Sequence, residues 1–463
     1  MTIFKHLITS FWLGEAGAKS ALRLAIPLIL SSSSFTLMQF ADRKFLLIYS
    51  RDTFTAAAPA GMISFAFLSI FFGAANYINV FVAQYAGANL KEFVGKSLWQ
   101  GIYFSFISWL LLLPLVFLAP FIFQFGGHEL MVQRYETIYF QIMIFTSIFV
   151  LLNAVLSSFF SGKGETFIIM WVRILAVIIN IPLDYILVFG KFGMPEMGIE
   201  GAAYATLIST ALNTIMFCFL IFNKKTDQIY ATLAGYRFDK KIFLRLLKFG
   251  MPNGLQFSIS ISSFAFFLLM IGRLGSDELA ASNAAWSLNL LAFLPMVGFA
   301  IAVSTVVGRE IGRKRIEVAK LAISNIFFMV LCYMVIVSSF FFFFPEKLLW
   351  LLFSGAPGSN TESIMEMSII ILRFIGIYFI FDSVNIVYGS AIKASGDTRF
   401  VMWISFFISL LVLVIPGYVF TTIIPLSVIH LWCFATLYIC IVSVIFYLRY
   451  RTGIWEKMNI MGR

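Results

Sequence analysis

The stretch Asn180-Ile181-Pro182-Leu183-Asp184 interrupts an apolar run from about Phe167 to Phe189. That run is long enough to cross a bilayer as one helix. On such a helix Asn180 and Asp184, four residues apart, lie one above the other, and Pro182 between them loosens the backbone ladder. The result is an oxygen-lined notch. A carboxylate at membrane depth costs about 2.5 to 3.5 kcal/mol on insertion scales, so the notch reads as an ion or proton site.

The rest of the chain supplies the membrane. Of 463 residues, 61% are hydrophobic and 12% charged, too apolar for a soluble globule, whose apolar share is about 45–50%. The chain therefore reads as an all-α polytopic membrane protein. Its formal charge of +11 sits in Lys and Arg between apolar runs, where the positive-inside rule places them, so no nucleic-acid partner is expected. Cys218, Cys332, Cys433 and Cys440 all fall in apolar runs without ligand spacing, which excludes a disulfide framework and a cysteine metal site. His6, His128 and His430 are scattered and indicate no metal either. The start, Met1 to Ser20, carries Lys5, His6, Glu15 and Lys19 and has no long apolar segment. It reads as an amphipathic helix on the membrane surface rather than as a removable signal.

About twelve spans of membrane length follow, near 22–49, 57–84, 97–124, 134–161, 167–190, 199–223, 241–272, 280–308, 317–344, 363–392, 398–424 and 426–448. The connections alternate in charge. One set holds Lys91, Lys96, Lys163, the cluster from Lys224 to Lys248, the cluster from Arg309 to Lys320, and Lys393 with Arg399; the opposite set is short and Gly-rich, as at Gly126-Gly127 and Ser354-Gly355. The basic side is taken as cytoplasmic, with both termini on it.

The basic segment between the sixth and seventh spans looks like a joint. Leu22-Arg23-Leu24-Ala25-Ile26-Pro27 returns in pattern as Leu247-Lys248-Phe249-Gly250-Met251-Pro252, and at the same spacing Asp52 falls on Asp277, Ala56 on Ala281 and Gly87 on Gly312. Gly164-Glu165-Thr166 likewise resembles Gly396-Asp397-Thr398. The chain divides into residues 1–222, a linker over 223–248, and residues 249–463. Two six-helix lobes, each with an even number of spans, would be related by a pseudo-twofold axis along the membrane normal.

These motifs also carry a resemblance. The Leu-Arg-Leu-Ala-Ile-Pro opening, Asp42 within Phe40-Ala41-Asp42-Arg43-Lys44, the Val82-Ala83-Gln84-Tyr85-Ala86-Gly87-Ala88 ending of span two, Gly164-Glu165-Thr166, Asn180 to Asp184, and Gly201-Ala202-Ala203-Tyr204-Ala205-Thr206 together resemble the multidrug and toxic compound extrusion (MATE) transporters over nearly the whole chain. The resemblance implies two six-helix lobes around a central cavity and a secondary antiporter, not an enzyme. It would export amphipathic organic cations in exchange for Na+ or H+ by alternating access. It implies a multi-pass protein of the plasma membrane, the bacterial inner membrane, acting as a monomer with lipid, coupling cation and small-molecule substrate as its partners and no cofactor. The lack of a Gly-rich phosphate loop argues against ATP drive.

The resemblance also places a cation site in the N-terminal lobe, carried here by Asp42, Asn180, Asp184 and Thr206, with Tyr139 beside them. At about 1.5 Å per residue, these five lie roughly 8 to 15 Å below the outer ends of their spans, one shared layer. Asn153 lies roughly 28 Å down and ranks lower. Carboxylate, amide and hydroxyl oxygens are hard donors, suited to an alkali or alkaline-earth cation. Two nearby carboxylates repel, so the pair is expected to hold a proton or share a cation. The competing reading pairs Asp42 with Arg43 or Lys44 at the membrane boundary.

The second lobe lacks this carboxylate pair: at the repeat spacing Asp42 corresponds to Phe267 and Asp184 to Pro416. It offers Tyr378, Asp382 and Asn385 on span ten as secondary candidates for a cation site. Some family members use a glutamate in span seven for such a site; the matching position here is Ser260, which puts a full second-lobe ion site in doubt, and Asp382 reads equally as a structural hydrogen-bond partner or a substrate contact. Gln39, Asn76, Asn79, Asn253, Gln256, Asn283 and Asn289 are candidates for lining a substrate cavity, although interhelical hydrogen bonding accounts for a membrane Asn or Gln as well. A lipid-linked saccharide flippase of the wider superfamily is the alternative. It would need more cavity cations to hold phosphates, whereas Arg173, Arg273 and Arg373 fall near expected helix ends, where their stems snorkel.

Overall fold

The computed structural model describes residues 17–124, 128–353, 361–423 and 426–462. The surface helix expected over 1–20 lies outside these residues up to 16, as do the turns expected at Gly126-Gly127 and Ser354-Gly355. All regular structure among the described residues is helical.

In chain order, α1 is Ala18–Tyr49, and α2 (Arg51–Asn76) continues past Tyr77 into α3 (Ile78–Gly87). Then come α4 (Lys91–Leu112), α5 (Leu115–Gln124), α6 (Leu130–Lys163), α7 (Thr166–Phe189), α8 (Ile199–Ile221) and the short α9 (Lys224–Tyr230). The second half holds α10 (Lys240–Gly272), α11 (Ser276–Gly312), α12 (Ile316–Phe343), α13 (Pro345–Phe353) and α14 (Thr361–Ser395). It ends with α15 (Thr398–Ser409), a π-helical turn over Leu410–Val414, α16 (Ile415–Thr422) and α17 (Val428–Arg451). Among the described residues, eleven helical segments are long and apolar enough to cross a membrane, and the pair α4–α5 makes a twelfth.

That pair is a correction. A single helix is expected over 97–124, yet α4 and α5 are bent by 47° at Leu113-Pro114. The proline ring crowds the preceding turn and brings no N–H, so the ladder breaks there. Some other spans run longer than their apolar cores, α6 and α14 among them. Arg373, expected near a helix end, therefore lies well inside α14, with its guanidinium 5.9 Å from the Phe342 ring centre.

The described chain packs as two units, Ile26–Leu255 and Met1–Ala25 with Gln256–Arg463. In the first, α6 is the hub against which α2, α3, α4, α5 and α8 pack; in the second, α14 holds α11, α12 and α17. The hubs are spans four and ten, and each is followed by its repeated Gly-acid-Thr turn. Gly164 (φ +85°) and Gly396 (φ +113°) adopt left-handed backbone there, which a Cβ would oppose. The acids are paired: Glu165 Oε2 lies 2.7 Å from Lys163 Nζ, and Asp397 Oδ2 lies 2.9 Å from Arg449 Nε.

The segment 223–248 is folded rather than loose. It forms α9, a 3-10 turn over Ala234–Tyr236 and the start of α10. Trp99 Nε1 of α4 donates to Thr232 O at 2.7 Å, Gln100 Nε2 donates to Arg237 O at 3.3 Å, and Asp239 N donates to Gln100 Oε1 at 3.2 Å. The segment thus belongs to the Ile26–Leu255 unit.

Candidate functional site

Four helices of one unit bring five side chains together. Asp42 comes from α1, Tyr139 from α6, Asn180 and Asp184 from α7, and Thr206 from α8. Asn180 and Asp184 are wholly buried and Asp42 is 8% exposed. The Asn180 amide is the keystone: with its nitrogen toward the acids, Nδ2 donates to Asp184 Oδ2 at 3.1 Å and to Asp42 Oδ1 at 3.2 Å. Turned the other way, Nδ2 donates to Ser209 Oγ at 3.3 Å and the carbonyl oxygen faces the carboxylates. The Thr206 hydroxyl lies beside Asp42, buried and without a hydrogen-bond partner, and Tyr139 lies within electrostatic range of both acids. Asp184 Oδ1 is buried without a hydrogen-bond partner.

The cation expected to compete for Asp42 does not sit in the cluster. Arg43 attracts Asp42 only through space, while the groups gathered around Asp42 are Asp184, Asn180 and Thr206. Adjacent helical positions point different ways, which keeps the Arg43 head off the notch.

Close approach of α7 and α8 sets this geometry. A Cβ on Gly201 would stand 2.6 Å from the backbone carbonyl of Leu187, far inside contact distance, so only glycine lets α8 lie on α7 here. One turn further along each helix, away from the basic connections, the cluster is capped by apolar groups. Leu46, Val188, Ala202 and Val132 form one buried core with Ile199, Ala56 and Ala57, and Tyr49, Tyr135, Tyr139 and Phe189 pack against it. The acids therefore lie beneath a greasy plug.

Comparison with known proteins adds the family. The MatE family model matches residues 27–186 and 252–419. The chain belongs to the MatE family. It is a membrane transporter, not an enzyme. A probable multidrug resistance protein NorM from Thermotoga maritima is 26% identical over 450 residues, covering 96% of this chain and 94% of that protein. The multidrug resistance protein NorM of Vibrio cholerae is 26% identical over 406 residues, covering 87% of each. Among solved structures, a MATE protein in complex with MaL6 superposes with a TM-score of 0.84 at 20% identity, over 95% of this chain and 97% of that one. An outward-facing multidrug resistance MATE transporter of the MOP superfamily gives 0.83 at 20% identity, with the same coverage.

Other candidate residues of this MatE transporter lie apart from the notch or serve as bolts between helices. Asn153 donates to Thr210 O at 3.0 Å and accepts from Thr214 Oγ1 at 3.2 Å, tying α6 to α8. Of the cavity candidates, Gln39 and Asn283 are exposed, and Asn76 Nδ2 returns to Phe72 O at 3.0 Å. Asn79 Oδ1 accepts from Ser161 Oγ at 2.7 Å, Asn253 Nδ2 donates to Gly73 O at 2.8 Å, and Asn289 Oδ1 accepts from Tyr378 Oη at 2.7 Å.

In the second unit the Tyr378 hydroxyl thus serves Asn289. Asp382 is buried and accepts from Asn385 Nδ2 at 2.8 Å. Gln256 Nε2 donates to Ser260 Oγ at 3.1 Å, and Lys393 Nζ donates to Gln256 Oε1 at 3.3 Å. Lys393 reads in the sequence as a loop cation; it is in the last turns of α14 with its head turned inward. Sequence reasoning also misses Glu136, whose wholly buried side chain meets His128 Nδ1 at 2.9 Å, and Ser209, which the three-residue step from Thr206 puts on the face of the notch.

Proposed function

We propose that this transporter is a secondary antiporter that exports organic, often cationic, compounds in exchange for Na+ or H+, with the Asp42–Asp184 notch as its coupling site. One observation carries the reading: two buried carboxylates from different helices face a shared amide with no cationic side chain in hydrogen-bonding reach among the described residues. Two unit charges about 4 Å apart repel by about 4 kcal/mol at an effective dielectric near 20. A proton or an entering cation removes that repulsion, and the hard oxygens of the two acids, Thr206 and the Asn180 carbonyl suit a small cation. The amide serves both states. Its nitrogen bridges the acids when no cation is bound, and its oxygen completes the cage when one is.

Neutralising the pair draws α1 toward α7. Coupling follows if ion and substrate favour different conformations, since a ligand indifferent to conformation shifts nothing. In this cycle substrate occupies an outward-facing cavity, the cation binds the notch, α1 bends, substrate leaves outward and the cation is released inward. The repeats over 1–222 and 249–463 are the two lobes, joined through 223–248. The basic connections and both termini lie on the cytoplasmic side of the bacterial inner membrane, and the transporter works as a monomer. The multidrug resistance names of the relatives support organic compounds as its cargo.

The test is ethidium efflux from proteoliposomes under an imposed Na+ or pH gradient, wild type beside Asp42→Asn and Asp184→Asn. Efflux that follows one gradient and is lost in both variants is the expected result. Gradient-driven efflux unchanged in either variant would overturn the coupling site.

A further inference from the structure

The polar residues of α8 form a second feature, on the other side of the acids from the plug. Thr206, Ser209, Thr210, Asn213 and Thr214 recur at three- and four-residue steps, while the rest of the helix between them is apolar. Such a stripe occupies one face of a helix. Over those positions it runs about 12 Å toward the basic end of the helix. The stripe faces polar partners on both neighbours: Asn180 of α7 meets Ser209 Oγ at 3.3 Å, and Asn153 of α6 meets Thr210 O at 3.0 Å and Thr214 Oγ1 at 3.2 Å.

Hydrogen bonding between helices explains part of this stripe but leaves Thr206 Oγ1 and Asn213 Oδ1 over. Asn213 Oδ1 is buried without a partner one step inward of Ser209, and Asp184 Oδ1 is buried without a partner at the notch itself. Buried oxygens left unsatisfied in an apolar setting are costly. The Thr210 hydroxyl donates back to Thr206 O at 2.6 Å, and the one Thr214 hydroxyl proton is shared between Thr210 O at 3.0 Å and Asn153 Oδ1 at 3.2 Å, so the lone pairs of both hydroxyls can receive a cation or a water. Away from the basic end, by contrast, stands the buried core of Leu46, Val188 and Ala202, with Tyr49, Tyr135, Tyr139 and Phe189 packed against it.

We infer that the coupling ion leaves the notch toward the basic side along this track, Ser209, Thr210, Asn213, Asn153 and Thr214 handing it on within a single lobe while the apolar plug blocks the opposite exit. The inference rests on the reading of Asp42 and Asp184 as the coupling pair. It adds a route for the ion separate from that of the substrate, so the two need never share a passage. A polar stripe that served only to bolt α6, α7 and α8 together would stay dry.

The experiment is cysteine accessibility to Ag+, a cation of suitable size. The four native cysteines are replaced by alanine, and Thr210→Cys, Asn213→Cys and Leu46→Cys are made singly and assembled into vesicles of both orientations. The expected result is that Thr210→Cys and Asn213→Cys react at least about tenfold faster from the basic face than from the other, a barrier difference of about 1.4 kcal/mol. Leu46→Cys in the plug should not react from the basic face. Equal rates from the two faces, no reaction at either track position, or faster reaction from the plug side overturns the track. Accessibility does not depend on the acids. If Asp184→Asn left gradient-driven efflux intact while the asymmetry of reaction persisted, the coupling assignment would fail and the wet track would stand; lost efflux with no asymmetry would uphold the coupling pair and overturn the track. Asn213→Ser, which keeps an oxygen, should retain coupled efflux, and Asn213→Leu should lose it; equal efflux in the two also overturns the track.

Discussion

Asp42 of α1 and Asp184 of α7 meet at a single amide: with its nitrogen turned toward them, Asn180 Nδ2 lies 3.2 Å from one and 3.1 Å from the other. The two acids approach one another out of reach of solvent. Each depends on what neutralises its neighbour.

Neutral replacement of the acids should therefore uncouple without unfolding. Asp184→Asn removes a buried charge that has no cationic partner in reach, so its melting temperature in detergent should equal or exceed that of the wild type. Gradient-driven efflux should fall at least about 100-fold, the loss of a coupling free energy of about 2.7 kcal/mol. A melting temperature that drops by several degrees would show that the acids are structural.

Asn180→Leu should have the opposite balance. It leaves the two carboxylates without their shared donor and removes an oxygen from the cage. Cation affinity should weaken by about 10- to 100-fold, read as the cation concentration that half-protects the protein against heating. Stability without cation should fall by about 1–3 kcal/mol. Unchanged protection by cation would remove Asn180 from the site.

Gly201→Val tests the helix contact beneath the chemistry. A side chain here must push α8 off Leu187, since its Cβ would otherwise stand 2.6 Å from backbone. We expect about 1–3 kcal/mol of destabilisation and a loss of cation affinity, because Thr206 moves with the helix. Gly201→Val with wild-type affinity would show that Thr206 adds nothing.

Far from the notch, Arg449→Ala should be costly for a different reason. Asp397 is 8% exposed at the side chain and takes its charge partner from Arg449 at 2.9 Å. Removing the arginine strands a nearly buried carboxylate, and up to about 3 kcal/mol should be lost. The double variant Asp397→Asn with Arg449→Ala should recover part of it. A melting temperature no higher in the double variant than in the single one would refute the account.

Much of this architecture is legible without coordinates. Apolar runs of membrane length mark the twelve spans, because a bilayer demands the same length of each. Counting residues from span ends puts Asp42, Asn180, Asp184, Thr206 and Tyr139 in one layer, and the structure brings them together. What periodicity misses is what depends on neighbours. The break at Pro114 hides in a leucine-rich run. Tyr378 and Asp382 share a helix face, yet the tyrosine finds Asn289 on another helix. Lys393 looks like a loop cation because α14 outlasts its apolar core. Ser209 is equally visible in the sequence, but a serine costs little at membrane depth and so raises no alarm.

The packing boundaries carry one more consequence. The repeat in the sequence has its seam at the linker, but the packed units divide after Ala25 and after Leu255, inside α1 and α10. The first turns of α10 lie on α2 of their own unit so closely that a Cβ on Gly254 would stand 1.9 Å from Ile70 O. The opening of α10, up to Leu255, is thus packed with helices that precede it in the chain. A cut within 223–248 would therefore part the opening of α10 from the unit in which it packs.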